Sequence, residues 1–186
     1  MAAARRLLEK YGADGFAMAD VAAAVGVRPP SIYGRFATRE ALLVAVELDL
    51  WADMTHAVAK VRAAAPADAL AGIARAYRAY AKAHPQGYEL MSSAWAKRGD
   101  AGQQAREATF AVVLPHLIAL AGDGAALHAG RVLTAFLHGF VSMELVGAFR
   151  MGGNIDVAFA YGLHTIIEGL RFPTSRPRSG RARSRR

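Results

Sequence analysis

The 186-residue sequence predicts an all-α protein. Alanine and leucine, which are strong helix formers, dominate the composition, and few clusters of β-branched residues compete with them. Apolar residues recur with a helical period along most of the chain, while glycine and proline fall mainly between the periodic segments. Together these observations predict eight or nine helices.

The first three helices are predicted to be short. The first spans residues 2–11 and the second spans residues 18–25, and each ends before a glycine. The third helix opens with Pro29 and Pro30 and ends near Phe36, because proline lacks only an N–H group that the first helical turn leaves unbonded anyway.

A long fourth helix is predicted to follow, with Thr38 as its N-cap and Pro66 beyond its end. Its apolar stripe follows the helical period and consists of Leu43, Val46, Leu50, Met54, Ala57 and Val61. The same periodicity places the remaining five helices at residues 68–83, 88–97, 100–120, 125–150 and 156–172. The last two are apolar on more than one face, so we expect a second subunit to cover part of them.

The positive charge is concentrated at the C-terminus. Residues 173–186 contain six arginines and no acidic residue, so only +2 of the formal net charge of +8 belongs to residues 1–172. This tail is rich in Arg, Ser, Pro and Gly and is predicted to be disordered. The overall charge is therefore weak evidence for nucleic-acid binding, which must be argued from a motif.

Several classes of protein are disfavoured. The chain has no cysteine, which excludes disulfides and thiolate metal sites and predicts a cytoplasmic protein. No membrane span is expected, because polar residues interrupt the most apolar stretch, residues 132–149. The chain has no H-E-x-x-H, no G-x-S-x-G and no phosphate loop, and no two histidines are four residues apart. We therefore expect no enzymatic activity, no cofactor and no metal.

Residues 20–36 have the pattern of a helix-turn-helix. Two helices that cross closely need a small residue, which Ala22 or Ala23 supplies, and the turn between them needs a glycine, which is Gly26. The apolar residues that fix the second helix are Val21, Val25, Val27 and Ile32. The second helix of such a motif projects its N-terminal side chains into the major groove of DNA.

Residues 2–50 resemble the DNA-binding domain of TetR-type transcriptional regulators. The family pattern G-V-x-x-x-[ST]-[LI]-Y-x-x-F-x-[ST]-[KR]-E-x-L is matched without a gap by Gly26-Val27, Ser31-Ile32-Tyr33, Phe36 and Thr38-Arg39-Glu40-Ala41-Leu42. The resemblance implies a three-helix DNA-binding domain at residues 1–46 and a helical ligand-binding and dimerisation domain at residues 47–172. The disordered tail then occupies residues 173–186.

Carried over position by position, the resemblance also implies which residues contact DNA. The candidates are Arg28, Pro29, Pro30, Ser31, Tyr33, Arg35, Thr38 and Arg39. Residues 28–31 are implied to face base edges or the nearby backbone, with Arg28 suited to a bidentate guanine contact. Tyr33, Arg35 and Arg39 are implied to contact phosphates. Each of these three taken alone is better explained as a core aromatic or a solvated charge, whereas the complete pattern in register favours DNA contact.

Two departures from the family pattern concern the start of this domain. Relatives often place Thr or Ser at the start of the second helix, where this chain has Ala17. The first helix also begins directly after Met1, without the usual preceding turn or basic arm, so the true start is expected to lie upstream or operator binding to be weak.

Residues 75–172 resemble a TetR-type C-terminal domain that is characterised by a tryptophan and a His-Gly pair. The matching positions are His84-Pro85, Tyr88, Trp95 and His138-Gly139. The resemblance implies a domain for dimerisation and for binding an unknown small-molecule effector. The candidate pocket residues are Tyr88, Met91, Trp95, Phe110, Thr134, His138 and Ser142.

Part of this expectation also follows from spacing. Thr134, His138 and Ser142 are four residues apart and form a polar stripe on an otherwise apolar helix. Buried polar groups need partners, and a pocket that holds water or a ligand would provide them. The alternative is a histidine bonded to a backbone carbonyl in the core, and the aromatic and methionine candidates could likewise be plain core.

Two further features of this helix bear on a dimer. Gly139 and Gly147, eight residues apart, predict a close helix approach at a subunit interface. Glu144 is expected to be exposed at the helix edge or to pair across that interface.

The sequence therefore predicts a cytoplasmic, homodimeric TetR-like regulator, a repressor that a small molecule releases from double-stranded operator DNA. One alternative is a helical small-molecule binding protein that has lost specific operator binding. Another is a non-specific nucleic-acid binder that acts through its arginine-rich tail.

Overall fold

The computed structural model describes residues 1–93 and 100–170, which form nine α-helices and no strand. The helices are α1 Ala2–Tyr11, α2 Met18–Ala24, α3 Pro29–Tyr33, α4 Arg39–Ala59, α5 Pro66–Ala83, α6 Pro85–Ser93, α7 Asp100–Ala121, α8 Asp123–Leu145 and α9 Ile155–Gly169. The predicted all-α class is confirmed. Trp95 and the tail at residues 173–186 lie outside the described residues. Within the described ranges, no helix has the length and hydropathy needed to cross a lipid bilayer.

Helices α1 to α3 form a small head around buried apolar side chains. Leu8 of α1 meets Phe16 of the following loop and Met18 of α2 in this cluster. Leu42, in the first turn of α4, belongs to the same cluster. Burial of each such side chain contributes about 1.5–3 kcal/mol, so the head is held together largely by these contacts.

Helix α4 joins the head to the rest of the molecule. Thr38 caps it as predicted, because its Oγ1 accepts the N–H of Ala41 at 3.1 Å. The buried stripe consists of Leu42, Val46, Leu50, Met54 and Val58. The predicted stripe is confirmed at Val46, Leu50 and Met54, while Leu43, Ala57 and Val61 are only half-buried, and Leu43 and Val61 pack against the edge of the cluster. The expected domain boundary at residues 46 and 47 falls inside this continuous helix.

Helices α5, α7, α8 and α9 enclose a second apolar cluster. Its buried members are Leu70, Ala74, Leu117, Ala126, Ala129, Leu133, Leu137, Phe159, Leu163 and Ile167. The rings of Phe136, Phe140 and Phe159 pack around one end of it, with centroids 5.2–5.7 Å apart. One side of α8 and of α9 is therefore buried within the protomer.

A network of charged groups ties α5 to α8 and α9. Arg78 donates from Nε and Nη2 to the two carboxylate oxygens of Glu144, at 2.6 Å each, and pairs with Asp156 at 2.7 Å. Lys82 pairs with Glu144 at 2.7 Å. The hydrogen bonds from Arg78 hold the pKa of Glu144 below its ordinary value. Neither expectation for Glu144 was right: its side chain is 9% exposed and its partners lie in the same protomer.

Several helix ends differ from the sequence prediction, and two of them change how the C-terminal region is interpreted. Helix α6 begins at Pro85 rather than at residue 88, because the proline that follows α5 occupies the first turn of the next helix. Helix α8 ends at Leu145 rather than near residue 150, and Gly147 beyond it has a φ of +65°, which does not continue a helix. Gly139 and Gly147 therefore do not share a helix, which corrects that part of the prediction.

Candidate DNA-binding surface and ligand cavity

A tight turn joins α2 to α3. Gly26 has a φ of +70°, a conformation that side chains with a Cβ rarely adopt. The N–H of Val27 donates to the carbonyl of Ala22 at 3.0 Å, which closes the end of α2. Helix α3 then starts at Pro29, as predicted, and ends at Tyr33, three residues earlier than predicted. The turn fixes the direction in which α3 leaves α2.

The residues around α3 have a buried side and an exposed side. Ile32 and Phe36 pack against the apolar cluster of the head. The exposed DNA-contact candidates are Arg28, Pro29, Pro30, Ser31, Tyr33, Arg35 and Thr38. The hydroxyl-bearing ring of Tyr33 is 53% exposed although it is a large aromatic group. The core thus holds this segment in place while its polar and cationic groups face solvent.

Arg39 differs from the other DNA-contact candidates. Its Nε donates to the carbonyl of Phe16 at 3.1 Å, and its Nη2 donates to the carbonyl of Ala13. The same nitrogen lies 3.6 Å from the carboxylate of Asp14, and the guanidinium lies 5.8 Å from the ring centroid of Phe16. The group that was predicted to meet a phosphate already holds the loop between α1 and α2 against the start of α4.

Helix α2 is capped even though Ala17 stands at its N-cap. The Oδ2 atom of Asp20 accepts the N–H of Ala17 at 2.7 Å, which is half of a capping box. The Asp20 carboxylate also lies in the first turn, where the helix dipole favours a negative charge. Ala17 therefore removes a hydroxyl group from the surface but does not leave the helix end uncapped.

A cavity of about 380 Å³ lies between α4, α5, α7 and α8. Its lining is mostly apolar and consists of Trp51, Val58, Ile73, Tyr77, Arg106, Thr109, Phe110, Val113, Gly130, Leu133, Thr134 and Leu137. Two of the predicted pocket residues, Phe110 and Thr134, are among them. Small-molecule sites commonly measure about 300–1,000 Å³, so the cavity can hold a small ligand.

Tyr77 connects the cavity to a chain of hydrogen bonds. Its hydroxyl lies 2.9 Å from that of Tyr88, which lies 2.8 Å from Nδ1 of His138. The hydroxyl of Ser142 lies 3.5 Å from the same nitrogen. Burial lowers the pKa of His138 and raises the pKa of Tyr77, so both side chains are neutral at neutral pH. The structure thus brings three predicted pocket residues together, and they reach the cavity through Tyr77.

Of the last two pocket candidates, only Met91 is described, and it does not line the cavity. Met91 of α6 is buried in the apolar cluster shared by the head and α4, and Trp95 lies outside the described residues. Sequence reasoning did not single out Tyr77, Arg106 or Thr109, which do line the cavity. None of these three stands in a recognisable motif, and only the packing of four helices brings them together.

Two family models match the chain. The model of the bacterial regulatory proteins of the tetR family matches residues 1–46, and that of the tetracyclin repressor-like C-terminal domain matches residues 70–166. The chain belongs to the TetR family. It is therefore a DNA-binding transcriptional regulator with a helix-turn-helix, as the sequence predicted.

Comparisons over nearly the whole chain agree with this assignment. The uncharacterized HTH-type transcriptional regulator YobS of Bacillus subtilis (strain 168) is 27% identical over 175 residues, 90% of this chain and 88% of that protein. A structure of a protein with unknown function from Rhodococcus sp. RHA1 is 26% identical, with a TM-score of 0.76 over 92% of this chain and 93% of that one. The TetR family regulator PfmR from Thermus thermophilus shares the fold at 20% identity, with a TM-score of 0.63 over 93% and 97% of the two chains.

In this TetR-family chain the head also contacts the C-terminal region through α1. The carboxylate of Glu9 accepts the N–H of Gln86 at 3.2 Å and that of Gly87 at 2.9 Å, in the first turn of α6. A Cβ at Gly87 would lie only 2.8 Å from Glu9 and 3.0 Å from Leu50, so the close approach depends on this glycine. Glu9 could not be singled out from the sequence, because tertiary packing alone brings it to the start of α6.

Proposed function

We propose that this TetR-family regulator is a cytoplasmic homodimeric repressor, released from double-stranded operator DNA when a small molecule occupies the cavity. One observation carries the proposal: α4 reaches from the head to the cavity. Arg39 at its N-terminus bonds to the head, while Trp51 and Val58 farther along line the cavity. A ligand that binds one position of α4 better than another also selects a position of the head, since only differential affinity shifts an equilibrium.

The proposed DNA contacts divide by function. Residues 28–31 would meet base edges, and Tyr33 and Arg35 would meet phosphates on either side. Phosphate contacts fix the register of the protein on DNA, whereas base contacts carry specificity. The exposure of these side chains beside the helix-turn-helix supports this assignment. Thr38 and Arg39 would act mainly by holding the start of α4 and the adjacent loop in place.

A second copy of the chain is proposed to cover the exposed faces of α8 and α9. One stripe along α8 follows helical spacing: His128, Val132, Ala135 and Met143 are exposed, Gly139 is half-buried, and the exposed Val146 continues the line just beyond the helix end. On α9, Val157 is 65% exposed and Tyr161 is 74% exposed. A Cβ at Gly139 would meet nothing within 4 Å in the protomer, which leaves room for a close partner. The two heads of such a dimer would read successive major grooves of a near-palindromic operator.

The rival functions have less support. Membership of a family of transcriptional regulators favours operator binding over its loss, and Asp20 compensates for the missing cap at Ala17. Within the described residues no cluster of His, Asp or Glu side chains could hold a metal ion. We propose no catalytic activity for this chain.

Selection of bound sequences from a random pool of DNA duplexes tests the proposal. The intact chain and a chain truncated after Phe172 should enrich the same inverted repeat, because the proposal assigns base reading to the head and gives the arginine-rich tail no part in it. A failure of both chains to enrich any sequence would overturn operator binding. Binding that disappears when residues 173–186 are removed would instead identify a non-specific binder that acts through its tail.

A further inference from the structure

Arg106 is the single formally charged side chain among the described residues that line the cavity. The structure records no hydrogen bond and no ion pair between its guanidinium and any other described residue. A guanidinium keeps its charge and presents five N–H donors. Arg106 is only partly buried, so water can accept from these donors in the empty cavity. A ligand that fills the cavity displaces this water, so the site is suited to a ligand that brings an anionic oxygen in its place.

Glu47 is the carboxylate that the fold brings towards Arg106, yet the two do not pair. One oxygen of Glu47 accepts the indole N–H of Trp51 at 3.3 Å. The same oxygen and Nη1 of Arg106 each lie 3.4 Å from the place of a Cβ at Gly102, so they flank this glycine. Burial raises the pKa of Glu47, whereas the hydrogen bond from Trp51 and the charge of Arg106 act in the opposite direction.

The rest of the lining suits an apolar body with one charged end. Its apolar members include Val58, Ile73, Phe110, Val113, Leu133 and Leu137. Two of the lining hydroxyls are already bonded: that of Thr109 lies 2.6 Å from that of Thr55, and that of Tyr77 bonds to Tyr88. A second negative charge on a ligand would find no second cation in the described lining.

We propose that the cavity binds an amphipathic monocarboxylate, with its carboxylate at the guanidinium of Arg106 and its apolar body between α4, α5, α7 and α8. This inference rests on the proposed function, because it names the ligand class of the cavity through which the repressor is released. Arg106 determines specificity because it donates to the carboxylate of the ligand and repels a cation at the same place.

Isothermal titration of the full chain with straight-chain ligands tests the proposal. The probes are hexanoate, octanoate, decanoate and dodecanoate, each compared with the alcohol and the amine of the same length. We expect at least one carboxylate to bind about tenfold to hundredfold more tightly than its alcohol, since a hydrogen bond to a charged group contributes that much to an equilibrium constant. The matching amine should bind no better than the alcohol.

Three variants test whether Arg106 causes the preference for the carboxylate. In Arg106→Gln the affinities for the carboxylate and the alcohol should lie within about threefold of each other. Retained binding of the alcohol shows that the cavity of this variant is intact. Arg62→Gln is the matched control and should keep the preference, because Arg62 is exposed and bonds only to the backbone carbonyls of Ala59 and Val61. Glu47→Gln should bind the carboxylate more tightly, since it removes the competing charge and can still accept from Trp51.

Equal affinity for carboxylate and alcohol at every chain length in the intact protein would overturn the ligand class. A preference that survives in Arg106→Gln would overturn the role of this arginine. The DNA selection is a separate readout. If the chain enriches an operator but does not prefer carboxylates, only the ligand class is overturned. If the chain prefers carboxylates but enriches no operator, the proposed function is overturned and the ligand class stands.

Discussion

At the scale of single residues, two arginines four positions apart on the head have different roles. Arg35 is exposed, and its guanidinium lies 5.9 Å from the ring centroid of Phe36. Arg39 instead donates to two loop carbonyls. The sequence predicted the same phosphate contact for both residues. It could not predict the difference, because the acceptors of Arg39 lie more than twenty positions earlier in the chain.

Arg39→Ala is expected to lower the free energy of unfolding by about 1–2 kcal/mol, because two loop carbonyls lose a charged donor and a ring loses its cation contact. Arg35→Ala, the matched control, should change it by less than about 0.5 kcal/mol but weaken binding to every DNA sequence. Urea unfolding followed by circular dichroism, together with fluorescence anisotropy on DNA, separates the two effects. If Arg39→Ala is as stable as the intact chain and binds DNA weakly, Arg39 is a phosphate contact after all.

The burial of His138 makes stability depend on pH. Burial lowers the pKa of this imidazole in the folded chain, so the unfolded chain takes up a proton more readily. The resulting stabilisation is complete above the unfolded pKa of about 6.5 and is lost as the pH falls through the lower folded value.

Thermal unfolding at several pH values checks this prediction. Between about pH 7.5 and about pH 5.5 the melting temperature of the intact chain should fall more than that of His138→Gln. His128→Gln, an exposed histidine on the same helix, should behave like the intact chain. An equal pH dependence in all three proteins would show that His138 does not carry the effect.

At the scale of helices, periodicity located every described segment but not every end. The bounds of α1 and the N-cap of α4 were predicted correctly, since local residue types determine them. The start of α6 was not, because a proline after a helix can either follow its end or open the next helix. The cavity was predicted only in part, because residues from four helices form it and its arginine stands in no motif.

The loop between α1 and α2 depends on Gly15. A Cβ at this position would lie 1.9 Å from the carbonyl oxygen of Tyr11, and no side-chain rotation can relieve a contact with backbone. We expect Gly15→Ala to cost at least about 1–3 kcal/mol of stability, measured by urea unfolding. Gly124→Ala is the control: its Cβ would meet open space in the first turn of α8, and the change should stabilise the chain by about 0.4–1 kcal/mol. Native stability in Gly15→Ala would contradict this loop geometry.

At the scale of the whole molecule, the exposed stripe on α8 should hold two protomers together. Sedimentation of the intact chain should show a dimer, and Val132→Glu combined with Val146→Glu should give a monomer, because two carboxylates cannot be buried without partners. Val44→Glu, at an equally apolar exposed position on α4, should remain a dimer. A monomeric intact chain, or a dimer that tolerates both glutamates, would place the interface elsewhere.

The proposed dimerisation and ligand binding would regulate transcription in this TetR-family chain only if α3 reads DNA sequence. The most direct test measures the affinities of the intact chain, Arg28→Ala and Tyr33→Phe for the selected duplex and for each of its single base-pair substitutions. We expect Arg28→Ala to lose about 1–3 kcal/mol of discrimination at one symmetric base pair in each half-site. Tyr33→Phe should weaken binding to all duplexes by the same factor. Unchanged discrimination in Arg28→Ala together with full affinity in Tyr33→Phe would contradict the assignment of α3 as the recognition helix.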